Sequence, residues 1–155
     1  MTNDAKLESA TTTALPPLAE LKIGRPRAGE LPWQLLLDAD PSREAIERYA
    51  TPEWTRVMWH EGAALGVYVL ARRDTTCFEL ESIAVDPRYR RRGIGRWLLG
   101  HAIGLAESKG ARAIEVGIGD SSFDAFEFLQ RAGFRIVENG TPCRNRVLRL
   151  DLEPE

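Results

Sequence analysis

Residues 83–96 read Ile83-Ala84-Val85-Asp86-Pro87-Arg88-Tyr89-Arg90-Arg91-Arg92-Gly93-Ile94-Gly95-Arg96. Five arginines and two glycines fall within residues 88–96. Glycine lacks Cβ, so a bulky anion can come close to the backbone at Gly93 and Gly95. A helix that starts there offers unpaired N–H groups and roughly half a positive charge at its N-terminus. Together with the arginines this chemistry suits a diphosphate. The arginines alone would equally suit a solvated surface loop or a patch for RNA. The glycines tip the balance, because Gly inside a helix costs roughly 1 kcal/mol relative to Ala. The stretch has neither the G-x-G-x-x-G dinucleotide fingerprint nor a Walker Gly-Lys-Ser/Thr.

Two carboxylates precede this loop. Alternation along Thr76–Val85 puts Phe78 and Leu80 on one strand face and Glu79, Glu81, Ile83 and Val85 on the other. The simplest structural role for Glu79 and Glu81 is a cross-strand pair with Arg72 or Arg73. His60, at a hairpin end, and His101, in mid-helix, read as surface or satisfied core residues. Trp33, Trp54 and Trp59 read as core packing, with an aromatic pocket wall as the alternative. Cys77 and Cys143 have no partner at metal-ligand spacing, and Cys77 reads as a small core residue.

The elements that must position these residues follow from pattern. Leu31–Asp38 predicts a short helix with Pro32 near its first turn. Ser42 is a potential N-cap for a helix carrying Ala45, Ile46 and Tyr49. Arg56–Trp59, the turn Glu61-Gly62 and Leu65–Ala71 predict a hairpin, and Thr76–Val85 a further strand. Gly95–Lys109 predicts a helix stopped by Gly110. Ala113–Ile118 is an apolar strand. Ser121-Ser122-Phe123-Asp124 resembles a capping box that opens a helix Phe123–Ala132, ended by Gly133. Phe134–Val137 and Val147–Leu152 close the pattern as strands. The order implies a mixed α/β or α+β domain around one central sheet.

The 155 residues suit one domain, with residues 1–17 as a mobile arm and 18–155 as the folded part. The formal net charge of −2 gives no general attraction to nucleic acid or to an anionic membrane. The longest apolar stretch, Ala63–Ala71, is far short of the roughly 20 residues that span a bilayer. Met1–Leu15 lacks the basic start and apolar run of a signal peptide. The expected location is the cytoplasm.

Arg90-x-x-Gly93-x-Gly95 after a strand resembles the (Gln/Arg)-x-x-Gly-x-(Gly/Ala) signature of the GNAT superfamily of acetyltransferases. Gly133-Phe134 after the last helix and the strand order before the motif extend the resemblance over roughly residues 20–152. It implies a single twisted mixed sheet flanked by helices. Acetyl-CoA would lie where the strand ending at Val85 splays from Ala113–Ile118. It further implies that the backbone of Arg91, Arg92, Gly93, Ile94, Gly95 and Arg96, with Arg90, holds the pyrophosphate. Ile83, Ala84 and Val85 would pair with the pantetheine amides, and the N–H near Ile83 would polarise the thioester carbonyl.

Glu79 occupies the position where some members place a general base. Glu81 is the second candidate, and either could act through water. The family often has Asn at the start of the last helix and, seven residues later, a Tyr that protonates the CoA thiolate. Ser122 and Leu129 stand there, and Leu cannot donate a proton. The implied activity is acetyl-CoA-dependent N-acetylation of a primary amine, on a small molecule, protein or peptide, by direct attack in a ternary complex. No metal, nucleic acid or membrane is required, and the protein would be a monomer or homodimer. The alternative is a non-catalytic acyl-CoA sensor, favoured by Leu129 and disfavoured by the paired glutamates.

Overall fold

The computed structural model describes residues 16, 20–27, 30–90, 92–117, 123–141 and 144–152. Apart from Pro16, the expected arm lies outside them, as do Arg91, Ile118, Ser121, Ser122 and Cys143.

The elements in chain order are β1 (Lys22–Gly24), α1 (Trp33–Ala39), α2 (Arg43–Tyr49), β2 (Thr55–His60), β3 (Ala63–Arg72) and β4 (Cys77–Val85). A 3₁₀ turn (Pro87–Tyr89), α3 (Ile94–Ser108), β5 (Ala113–Gly117), α4 (Phe123–Arg131), β6 (Arg135–Thr141) and β7 (Arg144–Asp151) follow. The strands form one mixed sheet in the order β1-β2-β3-β4-β5-β7-β6. β4 and β5 run parallel, while β1–β2, β2–β3, β5–β7 and β6–β7 run antiparallel.

Local chemistry explains the elements. The Ser42 hydroxyl accepts from the Ala45 N–H at 3.1 Å and caps α2. Glu61 (φ 50°) and Gly62 (φ 83°) make a two-residue turn that matches the twist of the β2–β3 hairpin. Strand β1 was not anticipated. Its three residues carry no period of their own and are held by pairing Lys22–Gly24 with Val57–Trp59.

The chain divides into two compact units, Met1–Val69 with Ser82–Leu99 and Leu70–Glu81 with Gly100–Glu155. In the first, Leu35 and Leu36 of α1 and Ile46 of α2 pack on Val57, Val67, Val69 and Ala84. Trp33 and Trp59 pack against the same cluster, the expected core role. The other face of β3 meets α3 at Gly66. A Cβ there would lie 2.5 Å from Leu98 Cδ1 and 3.3 Å from the Ala84 carbonyl oxygen. Leu98 is fully buried and has nowhere to retreat. Gly66→Val should therefore destabilise by overpacking, about 1–3 kcal/mol. At this chain length that lowers Tm by roughly 2–12 °C. Gly24→Val, where a Cβ meets nothing within 4 Å, should leave Tm nearly unchanged in the same thermal denaturation series.

In the second unit, Cys77 and Phe78 of β4, Ala113 and Ile114 of β5, Leu129 of α4, and Val147 and Leu148 of β7 are buried. The β4–β5 ladder registers Cys77↔Ala113, Phe78↔Ile114 and Glu79↔Glu115 and goes no further among the described residues. β4 itself continues to Val85.

Candidate active site

In the first unit, β4 ends at Val85 and the chain turns on Asp86. The Asp86 carboxylate accepts from the Arg88 N–H at 2.9 Å and from the Arg88 guanidinium at 3.2 Å. Bonding to Arg88 holds this carboxyl below its usual range despite partial burial. Tyr89 is buried and anchors the turn. Arg90 Nε donates to the Val85 carbonyl at 3.2 Å, and its Nη2 lies 4.0 Å from Asp38 of α1. These contacts brace residues 86–90 ahead of α3.

Gly93 opens α3. Its φ is +90°, a conformation that L side chains rarely adopt. Its carbonyl accepts from the Trp97 N–H at 2.9 Å. A Cβ placed on Gly93 meets no atom within 4 Å, so the space in front of this backbone is open. Ile94 is buried beneath the loop, while Gly93 and Arg96 are exposed and Arg92 and Gly95 half-buried. An open glycine backbone at a helix N-terminus, flanked by arginines, fits the diphosphate of CoA. Beside the loop lies a cavity of about 560 Å³, lined by Trp33, Gln34, Asp38, Ala64, Asp86 and Arg88 among others. The Arg43 guanidinium stacks over Trp33 at 4.1 Å.

The second unit holds the carboxylates. Glu79 is 6% exposed, and its Oε1 accepts from Arg73 Nε at 2.6 Å. Arg73 Nη2 reaches Glu79 Oε1 at 2.6 Å and Glu81 Oε1 at 3.0 Å. Of the two arginines considered from sequence, Arg73 takes the pairing. Arg72 instead donates to the Lys109 carbonyl at 3.0 Å. Opposite Glu79 in the ladder stands Glu115, 3% exposed, which accepts from Arg149 Nη1 at 2.6 Å. Arg149 also donates to Asp151 at 2.9 Å. Register places Glu79, Glu115, Arg149 and Arg135 in one row across β4, β5, β7 and β6.

The sequence-derived residues fall on two stretches. Ile83, Ala84, Val85, Arg90, Arg92, Gly93, Ile94, Gly95 and Arg96 lie at the end of β4, in the loop and on α3. Glu79 and Glu81 lie on the first part of β4. Leu129 is buried, so it packs the core and offers no proton. Glu115, Arg149 and the cavity's Asp38 were missed. A lone carboxylate inside the apolar run Ala113–Gly117 was the one signal for Glu115. Burial, then the nearby Glu115 charge, push the Cys77 thiol up to about 11, so it stays protonated at neutral pH and is no nucleophile. Among the described residues, no group of three or more His, Cys, Asp or Glu could hold a metal ion, and no helix is long and apolar enough to cross a membrane.

Comparison with known proteins agrees with this geometry. The model of the acetyltransferase (GNAT) family matches residues 26–134. The uncharacterized N-acetyltransferase YvbK of Bacillus subtilis is 34% identical over 149 aligned residues, covering 85% of this chain and 96% of YvbK. The [ribosomal protein bS18]-alanine N-acetyltransferase of Escherichia coli is 30% identical over 128 residues, covering 83% of this chain and 79% of the relative. A GNAT family acetyltransferase from Elizabethkingia anophelis, solved with acetyl-CoA bound, aligns at a TM-score of 0.72 and 29% identity, covering 87% of this chain and 99% of that one. With the strand–loop–helix geometry, the family model and the relatives in agreement, the chain belongs to the GNAT family of acetyltransferases.

Proposed function

We propose that the protein transfers an acetyl group from acetyl-CoA to a primary amine, by direct attack in a ternary complex. The observation that carries this reading is Gly93, with its positive φ and open approach at the start of α3. The N–H groups of residues 91–96 would hold the diphosphate, with Arg90 bracing the loop. Ile83, Ala84 and Val85 would pair with the pantetheine amides. The backbone N–H near Ile83 would donate to the thioester carbonyl, where negative charge develops.

An alkylammonium has a pKa near 10 and must lose a proton before attack. Glu79 and Glu81 would take that proton, directly or through water. No side chain need protonate the leaving thiolate, because a thiol pKa near 8.5 makes it a tolerable leaving group. Buried Leu129 is compatible with that. The E. coli relative's name gives an alanine of a ribosomal protein as its acceptor. Peptide N-termini therefore belong in the acceptor screen beside polyamines and amino acids.

Thermal denaturation and thiol release test the reading. Acetyl-CoA at 100 times its Kd should stabilise the fold by about 2.7 kcal/mol. At this chain length that raises Tm by roughly 5–11 °C. At least one amine in the panel should accelerate thiol release. An unchanged Tm at saturating acetyl-CoA would sink the proposal.

A further inference from the structure

We propose that Arg73 is a positioning residue for amine deprotonation, fixing Glu79 and Glu81 side by side as one proton-accepting unit. The inference rests on the acetyl-transfer reading above. Its basis is the way the β3–β4 turn presents this guanidinium. Asp74 Oδ1 accepts from the N–H groups of Thr76 and Cys77, both at 2.8 Å, and from the Thr76 hydroxyl at 3.1 Å. The Arg73 N–H donates to the Cys77 carbonyl at 2.9 Å. Arg72 is tied away, to the Thr75 and Lys109 carbonyls and over the Phe78 ring. The turn therefore has one arrangement, and Arg73 folds back from it over β4.

The fork geometry matters as much as the charge. Nη2 alone reaches both carboxylates, and Nε adds a second bond to Glu79 from a second nitrogen that a single ammonium lacks. The guanidinium is 46% exposed, but the two carboxylate side chains are only 8% and 12% exposed. An exposed surface pair would contribute little. Here the cation orders two nearly buried anions.

The other charged and titratable groups around this unit are Asp74 and Cys77 at the turn, Glu115 on β5, and Arg149 with Asp151 on β7. Glu115 is held by Arg149, so each arginine serves its own carboxylates. In the step served, an N–H bond of the ammonium breaks and an O–H bond forms on a glutamate oxygen. The freed electron pair stays on nitrogen for attack on the thioester carbon.

The test compares the parent protein with Arg73→Gln, Arg73→Lys, Glu79→Gln and the double variant Arg73→Gln/Glu79→Gln. Readouts are kcat and KM with the best amine of the screen, and the Kd of acetyl-CoA by calorimetry. Arg73→Gln should lower kcat by roughly 10–100-fold through misplacement of the base. KM for the amine should change less than kcat, because the base and not the acceptor site is displaced. The Kd should stay within about twofold, a smaller change than 1 kcal/mol produces. Arg73→Lys should restore only part of kcat. In the Glu79→Gln background, Arg73→Gln should cost much less than it does alone.

A parent-like kcat in Arg73→Gln would overturn the proposal while leaving acetyl transfer intact. If Arg73→Gln does not fold, Arg73→Lys decides, because a fully parental kcat there removes the need for the fork. If Glu79→Gln and Glu81→Gln are both silent, the base assignment itself falls, and this inference with it.

Discussion

Gly93→Val is expected to raise the Kd of acetyl-CoA by about 100-fold or more, measured by isothermal titration calorimetry. Two terms add. At φ +90° an L side chain is strained by roughly 1–2 kcal/mol, so the free variant relaxes away from the conformation that binding would have to restore. The isopropyl group would also fill the space in front of the helix N-terminus, removing charge-assisted hydrogen bonds to phosphate of about 1.5–3 kcal/mol each. A hundredfold loss corresponds to about 2.7 kcal/mol. Because a Cβ at Gly93 meets no protein atom within 4 Å, the variant should still fold. Arg90→Ala should be milder, about tenfold, since the backbone groups remain and the braces to the Val85 carbonyl and Asp38 are lost. Equal, small effects from both changes would mean that the phosphates bind elsewhere.

Glu79→Gln should lower kcat by roughly 10²–10⁴, the usual range for a positioned base. Glutamine keeps the shape, and its amide oxygen can still accept from Arg73. The variant therefore isolates basicity from packing. The Kd of acetyl-CoA should hardly move, because the proposed diphosphate loop begins beyond Val85, at the far end of β4. Glu81→Gln should cost less, as its contact to the shared guanidinium is longer, 3.0 Å against 2.6 Å. Steady-state thiol release with the best amine of the screen measures both variants. If both variants match the parent, no carboxylate on β4 acts as base. Deprotonation would then pass through a water chain, or the acceptor would be neutral at working pH.

What could be read from sequence was what is local. Ser42 announced α2 because its hydroxyl caps the helix three residues on, and Glu61-Gly62 announced the hairpin because two adjacent residues needed positive φ. The strand–loop–helix around Gly93 was legible for the same reason, its residues being consecutive in the chain. Non-local features were not legible. Arg72 and Arg73 are equivalent as sequence, and the choice between them is made by Asp74 bonding in the turn. The Glu115–Arg149 pair exists only once β5 and β7 find their register. Gly66 gave no sign of its role because the side chain that crowds it, Leu98, arrives from α3.

The charge row across β4, β5, β7 and β6 also bears on how the sheet assembles. If β5 slipped by one residue, Glu115 would turn to the opposite face. If it slipped by two against β7, Glu115 would meet Val147 or Asp151 instead of Arg149. Either error leaves a nearly buried carboxylate without its cation, a penalty of several kcal/mol. The apolar neighbours Ile114, Leu148 and Leu150 tolerate such shifts far better, since one hydrophobic contact can replace another. Strands distant in the chain are therefore sorted by charge where shape alone would accept several pairings, and the row narrows the misassembled sheets that compete with the native one.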